Sequence, residues 1–433
     1  MKFKTTLVLL AVFTGLLAIV LLFDTQSENK SAAQEKTNTL ISLASGDIRK
    51  ASLVRDGETL TFERDEAGPW RLTSPLQAAA DDTEVGNFVD SLASLRIERV
   101  VEKEAKDLAA YEIAKREDDP RVVLLASTLK TTLDKKIFDF RQKDVFKFSA
   151  ADVETVRVRA KNIGWQAQRQ KAGWFLKAPV VALAAKGKVD SLLDSLSGLR
   201  AKAFVTESKN AEALKRFGLE KPEYEVVLSL PASNQEIVFS LHQEGEAFYA
   251  TTSLSTKVIA FEGALLTDLD RKVDGMRETK VADFYSWEAD KVALKRDGFE
   301  LAAVKEKVGE EEKWLLNPAT KEEADRTKVE DFIRKLEGLE AAAFIDDPGP
   351  LSAYGLDGGA EVRIRTKDAQ GKVKETVLLI GKEDAEKKQV VVKTAELAYL
   401  FRVDSGFLQD FPKDRKDWKV EPLKTEEGKT DKK

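Results

Sequence analysis

Apolar positions fall into one helical rhythm at three places along the chain. They are Val85/Phe88/Val89/Leu92/Leu95, Val189/Leu192/Leu193/Leu196/Leu199 and Val329/Phe332/Ile333/Leu336/Leu339. The spacing i, i+3, i+4, i+7, i+10 is one face of an α-helix. Each helix starts on polar residues suited to a first turn: Asp81-Asp82-Thr83, Lys186-Gly187 and Asp325-Arg326-Thr327. Fifteen residues before each opening Val stands a Trp (Trp70, Trp174, Trp314), followed shortly by Pro75, Pro179 or Pro318. Upstream of each Trp lies a pair of β-rich runs. Asp56-Gly57 separates them in the first copy, Asn162-Ile163-Gly164 in the second and Asp297-Gly298 in the third, and these are hairpin signals. A pattern this long, met three times at fixed spacing, is an internal repeat.

After the helix each copy predicts a short apolar piece, a turn and a run of strands. The turn is Phe217-Gly218-Leu219-Glu220 in copy two and Tyr354-Gly355-Leu356-Asp357 in copy three. Strands are predicted at 225–230, 236–241, 247–251 and 257–261, with counterparts at 361–365, 375–380, 389–392 and 398–402. A second helix-like segment closes each unit, at 127–138, 263–273 and 405–411. Hairpins, one helix and then antiparallel strands make an α+β fold. Copy one maps to copy two at an offset of 104 as far as the helix (Trp70 to Trp174, Val85 to Val189). Near its end the offset is 136 (Leu125 to Phe261, Arg141 to Arg277), so copy one is 32 residues shorter. The turn and two strands are what it lacks, which predicts a reduced sheet with an edge that must be covered or charged.

The chain's first apolar stretch has a different character. Lys2 and Lys4 precede 19 uncharged residues, Thr5 to Phe23, long enough to span roughly 28 Å as a helix. The nearest small-x-small site, Ser31-Ala32-Ala33, lies well downstream, which favours an uncleaved anchor over a cleaved signal peptide. Its basic end should stay in the cytoplasm, so the expected location is the inner (cytoplasmic) membrane, crossed once, with the body outside in the periplasm. The expected organisation is therefore an N-terminus and anchor over 1–24, a polar tether over 25–40, repeats over 41–148, 149–284 and 285–413, and a charged tail over 414–433. The tail's Gly428-Lys429-Thr430 is no P-loop, because Leu423 stands where the first Gly belongs.

Composition narrows the chemistry. The 433 residues carry 70 Lys+Arg and 75 Asp+Glu, net charge -5, which provides no basic field for nucleic acid. With no Cys there can be no disulfide, thiolate nucleophile or Cys-ligated zinc, and a single His, His242, cannot supply a two-imidazole site. His242 matches Gly381 of copy three and reads as a surface or turn residue. The acidic pair Asp81-Asp82 reads as a helix cap, and neither it nor Asp346-Asp347 sits in a calcium-loop pattern. No catalytic residue, cofactor or metal is expected.

Several short motifs resemble the domain-of-unknown-function family 4340. They are the Gly-x-Trp-x-Leu-x-x-Pro stretch, the helix ending in Leu-x-x-Leu, the [Phe/Tyr]-Gly-Leu-[Glu/Asp] turn and Leu-Leu-Ile-Gly at 378–381. The resemblance covers nearly all of 40–413, with copy one departing by its missing Gly-Leu turn. It implies an envelope protein with an N-terminal anchor and degenerate copies, often found beside ABC-2 type transporters of the gliding-motility auxiliary class. It implies no catalytic residues.

Of the six Trp residues, Trp70, Trp174 and Trp314 hold fixed places before a helix and are expected in the repeat cores. Trp165, Trp287 and Trp418 lie outside that register and are the candidate interaction residues, Trp287 at the junction of copies two and three. The expected function is a non-enzymatic extracytoplasmic scaffold or accessory subunit, with an ABC-2 type permease or auxiliary subunit as the partner the resemblance implies. A glycan-binding or polymer-binding module is the alternative, resting on those exposed aromatics. A carboxylate-dependent hydrolase is a third class and needs two acids converging in a pocket.

Overall fold

The structure is a computed structural model that describes residues 43–102, 114–115, 122–125 and 128–420, apart from Asp56 and Ala67. The expected anchor, the tether, residues 103–113 of copy one and the last thirteen residues lie outside the described residues. The chain divides after Asp144 into two compact units. It is an α+β protein built of repeated antiparallel sheets with a few helices. Among the described residues no helix is long and apolar enough to cross a membrane.

In the first unit, β1 (Lys50–Arg55), β2 (Glu58–Glu63), β3 (Arg71–Ser74) and β4 (Ala78–Ala79) form a four-stranded meander. Helix α1 (Asp82–Ala93) follows. Its N-cap Asp81 accepts from the backbone N–H groups of Thr83 and Glu84, and it buries Val85, Phe88 and Val89. Phe88, Phe62 and Phe140 meet with ring centroids 4.9–5.9 Å apart and form the centre of this core. Strands β5 (Ile97–Glu102), β6 (Ala114–Lys115) and β7 (Val122–Leu125) make a separate sheet in the order β5-β7-β6, and α2 (Thr128–Leu133) follows.

The second unit holds two copies of one larger plan. The first comprises β8 (Thr155–Ala160), β9 (Ile163–Gln170), β10 (Gly173–Ala178), β11 (Ala182–Leu183), α3 (Lys186–Ser197), β12 (Ala203–Thr206), α4 (Ala211–Arg216), β13 (Tyr224–Leu230), β14 (Gln235–Glu244), β15 (Ala247–Thr252), β16 (Val258–Phe261) and α5 (Leu266–Leu269). The other runs through β17 (Ala289–Arg296), β18 (Phe299–Val308), β19 (Glu311–Asn317), β20 (Glu322–Glu323), α6 (Arg326–Glu337), β21 (Ala343–Ile345), β22 (Ala360–Lys367), β23 (Val373–Asp384), β24 (Gln389–Thr394) and β25 (Leu400–Asp404). Their nine-stranded sheets have the same order, β11-β10-β9-β8-β13-β14-β15-β16-β12 and β20-β19-β18-β17-β22-β23-β24-β25-β21. In these sheets a long hairpin, β13-β14 or β22-β23, joins the first meander to the last strands. Among the described residues copy one has no counterpart of that hairpin, and its strands fall into two sheets.

Each copy is closed by the same strap. The backbone N–H of Asp81 donates to Phe140 O (2.8 Å), that of Ala185 to Met276 O (2.9 Å) and that of Asp325 to Trp418 O (2.7 Å). Single antiparallel bridges follow at Ala80 with Arg141, Ala184 with Arg277 and Ala324 with Lys419. The third copy therefore runs to Lys419, and residues 414–419 belong to the fold rather than to a tail beginning at 414. The reason is apolar: helix α6 has Phe332 on its inner face, and Trp418 covers it at 5.3 Å between ring centroids.

Candidate functional site

Copies two and three share one hydrophobic core, and the junction at 284/285 is not a break in it. Val281, Ala282 and Phe284 are all buried there. The joint is pinned by Arg277, whose side chain is 0% exposed. Its Nη1 lies 2.9 Å from Asp346 Oδ2 and 3.6 Å from Asp274 Oδ1. Its guanidinium carbon sits 3.8 Å from the Phe344 ring centroid and 4.5 Å from that of Tyr399. A guanidinium is weakly hydrated and planar, so it tolerates this aromatic seat better than an ammonium would. Burial pushes the Tyr399 phenol up from its ordinary value, and the cation beside it opposes the shift.

Beside this joint runs a groove of about 480 Å³ between the two copies. Phe175 and Leu183 line it from copy two, Val377 and Leu397 from copy three, and Val281 forms part of the connecting segment. Its rim carries Lys280, Asp283 and Lys374, the last bonded through Nζ to the backbone O of Asp283 (2.6 Å). Next along the connection, Tyr285 and Trp287 stack in the open. They are 47% and 69% exposed, with ring centroids 4.4 Å apart and planes inclined by 20°. Lys280 joins the two features, because it lines the groove while its ammonium lies 5.7 Å from the Tyr285 ring centroid.

Trp287 is thus a surface residue, whereas Trp165 and Trp418 are not. Trp165 lies in β9 opposite Val158 on the inner face of the sheet, and Trp418 is the strap residue over Phe332; both are buried. Trp70, Trp174 and Trp314 are buried under their helices, each with a cation over the ring: Arg64 at 4.5 Å, Arg169 at 4.4 Å and Lys305 at 5.0 Å. The indole N–H of Trp174 donates to Asp190 Oδ1 (3.3 Å), and that of Trp314 to Glu330 Oε1 (3.2 Å). In turn Asp190 pairs with Lys186 and Glu330 with Arg326, one turn earlier on the same helix. These carboxylates directly follow the opening Val of their helices, as Val189-Asp190 and Val329-Glu330, whereas copy one has Val85-Gly86 there.

His242 sits within strand β14, paired with Tyr249, rather than in a turn. It packs over Gly218, which has φ +67°; a Cβ there would lie 2.1 Å from His242 Cδ2. Gly355, at φ +68° in copy three, is covered in the same way by Lys382. The carboxylates with displaced pKa among the described residues are all held low. Glu322 is held by Arg415, and Asp384 and Asp417 by backbone N–H groups.

A family model described as a domain of unknown function (DUF4340) matches residues 20–115, 114–180 and 174–358. No curated protein and no solved structure matches the chain. The chain belongs to the DUF4340 family.

Proposed function

We propose that this member of the DUF4340 family is a single-pass, membrane-anchored scaffold whose folded body lies outside the cytoplasm and docks a partner protein at the junction of copies two and three. The anchor is the Thr5–Phe23 stretch with Lys2 and Lys4 on its cytoplasmic side. The observation that carries the docking face is the exposed Trp287–Tyr285 stack beside an apolar groove. Exposed aromatics next to a groove are the usual anchors of an interface. Arg277 adds the rigidity a docking face needs, since it fixes the two copies that form the walls. The role is non-enzymatic: the one imidazole is used in packing on Gly218, and the displaced carboxylates are caps and surface pairs. An ABC-2 type permease or its auxiliary subunit is the partner that the family resemblance implies, and it rests on that resemblance alone.

Co-purification from solubilised membranes tests the reading. The intact chain should bring down an integral membrane subunit, and Trp287→Ala with Tyr285→Ala should cut the recovery about tenfold or more. Recovery of the free chain alone would sink it.

A glycan-binding reading keeps one observation in its favour, the open face of the Trp287 indole. It has lost the other two, since Trp165 and Trp418 are buried. Quenching of Trp287 fluorescence by soluble envelope glycan, without capture of any protein, would favour it over the scaffold.

A further inference from the structure

Copy one departs from the other two beneath Trp70, the tryptophan that recurs as Trp174 and Trp314. In copies two and three the indole N–H is satisfied by a helix carboxylate, Asp190 or Glu330, which is paired to a basic residue four positions earlier, Lys186 or Arg326. The corresponding positions in copy one are Gly86 and Asp82. The carboxylate is gone, and the cation has become an acid. A Cβ built at Gly86 meets nothing within 4 Å, and a cavity of about 510 Å³ opens there. Its lining includes Arg64, Trp70, Asp82, Gly86 and Asp90. Trp70 is 3% exposed and keeps the arrangement of its counterparts, with the Arg64 guanidinium 4.5 Å from its ring. Trp70 and Gly86 line the cavity together, and among the described residues no hydrogen bond joins the Trp70 indole N–H to an acceptor of the kind that Asp190 and Glu330 provide. Asp82 is held by the backbone N–H of Trp70 (2.6 Å), and Arg64 by the carbonyls of Ile48 and Ser45 (both 2.9 Å), so the walls are fixed.

What the cavity lacks is a carboxylate with a cation beside it. What it offers is the complement: an indole N–H and a guanidinium for a carboxylate, and the Asp82 and Asp90 carboxylates for an ammonium. We infer that the copy-one cavity binds a small zwitterion of the amino-acid type, its carboxylate taking the place that Asp190 and Glu330 fill in the other copies. The ligand could come as a free amino acid or as a short peptide, which differ in the separation of the two charges. This site is independent of the docking face.

The full chain in detergent, labelled with 5-fluorotryptophan, provides the test. The Trp70 resonance is assigned by its loss in Trp70→Phe, and glycine, L-glutamate, L-lysine and glycylglycine are titrated, with acetate and methylammonium as single-charge controls. At least one zwitterion should shift the Trp70 resonance and bind about tenfold more tightly than either control. Whether an amino acid or glycylglycine binds better identifies the source. Gly86→Asp restores the carboxylate that the other copies carry at this position and should weaken binding about tenfold or more while the chain stays folded, judged by thermal unfolding. Asp90→Asn, at an exposed position, should weaken binding without touching the indole, and serves if Gly86→Asp fails to fold. No shift with any zwitterion, acetate binding as well as the amino acids, or a folded Gly86→Asp that binds like the parent would overturn the inference.

Discussion

Arg277 and Gly218 show how single residues set the shape of the second unit. A guanidinium with no exposed surface is costly unless its charge is matched, and Asp346 provides most of that match across the joint. Asp346→Ala should destabilise the unit by ~2 kcal/mol, below the range for a fully buried pair because the Asp346 side chain is 39% exposed. Arg277→Leu in the same chain should recover part of the loss, since an apolar side chain suits a seat between Phe344 and Tyr399. Urea unfolding of the three variants checks both statements. At Gly218 the left-handed φ and the His242 ring act together, so Gly218→Ala should cost ~1–3 kcal/mol. Removing the ring with His242→Ala should return some of it, and a double-mutant cycle would read the coupling directly. Neither effect could be seen in the sequence, because Asp346 and His242 are distant in the chain from the residues they meet. Trp165 was closer to legible: it alternates with Ala167 along a strand opposite Val156 and Val158, which is an inner-face pattern.

At the scale of the element, the helices were the most legible features. Their apolar faces, from Val85, Val189 and Val329, are the faces they bury, because a 3.6-residue period leaves little choice once one side must meet a sheet. The straps were the least legible, since each is a short irregular segment joined by one bridge and one buried side chain: Phe140, Met276 or Trp418. Those three residues share no type, and Trp418 is surrounded by charge, so the sequence pattern alone ends the third copy at 413. Gly86 in α1 is a weakness of another kind, with maximal backbone freedom and open space where a side chain would go. Gly86→Ala should therefore stabilise the first unit by ~0.5–1 kcal/mol in thermal unfolding. The last strap also carries a pH signature. Backbone N–H groups of Lys413 and Asp414 hold Asp417 below its ordinary value, as Arg415 does Glu322 nearby. The folded state thus binds fewer protons than the unfolded one. Its contribution is complete above the ordinary carboxylate range and fades as pH falls through the lowered values. Denaturation midpoints should accordingly fall on acidification below about pH 4, and less steeply in Asp417→Asn.

At the scale of the molecule, three copies of one plan have been put to different uses. Copies two and three carry the full nine-stranded sheet and are locked into one body. Copy one is a separate unit whose described strands fall into two sheets, with a cavity against its tryptophan where the other copies place a helix carboxylate. Specialisation of this kind suits a scaffold, where some copies supply rigidity and others supply surface. Site-specific photo-crosslinking in intact cells tests that central claim most directly. A photoreactive residue at position 287 should give one predominant adduct with an integral membrane protein, and the same probe at exposed Val54 should not. No adduct at 287, or the same adducts from both positions, would contradict the account.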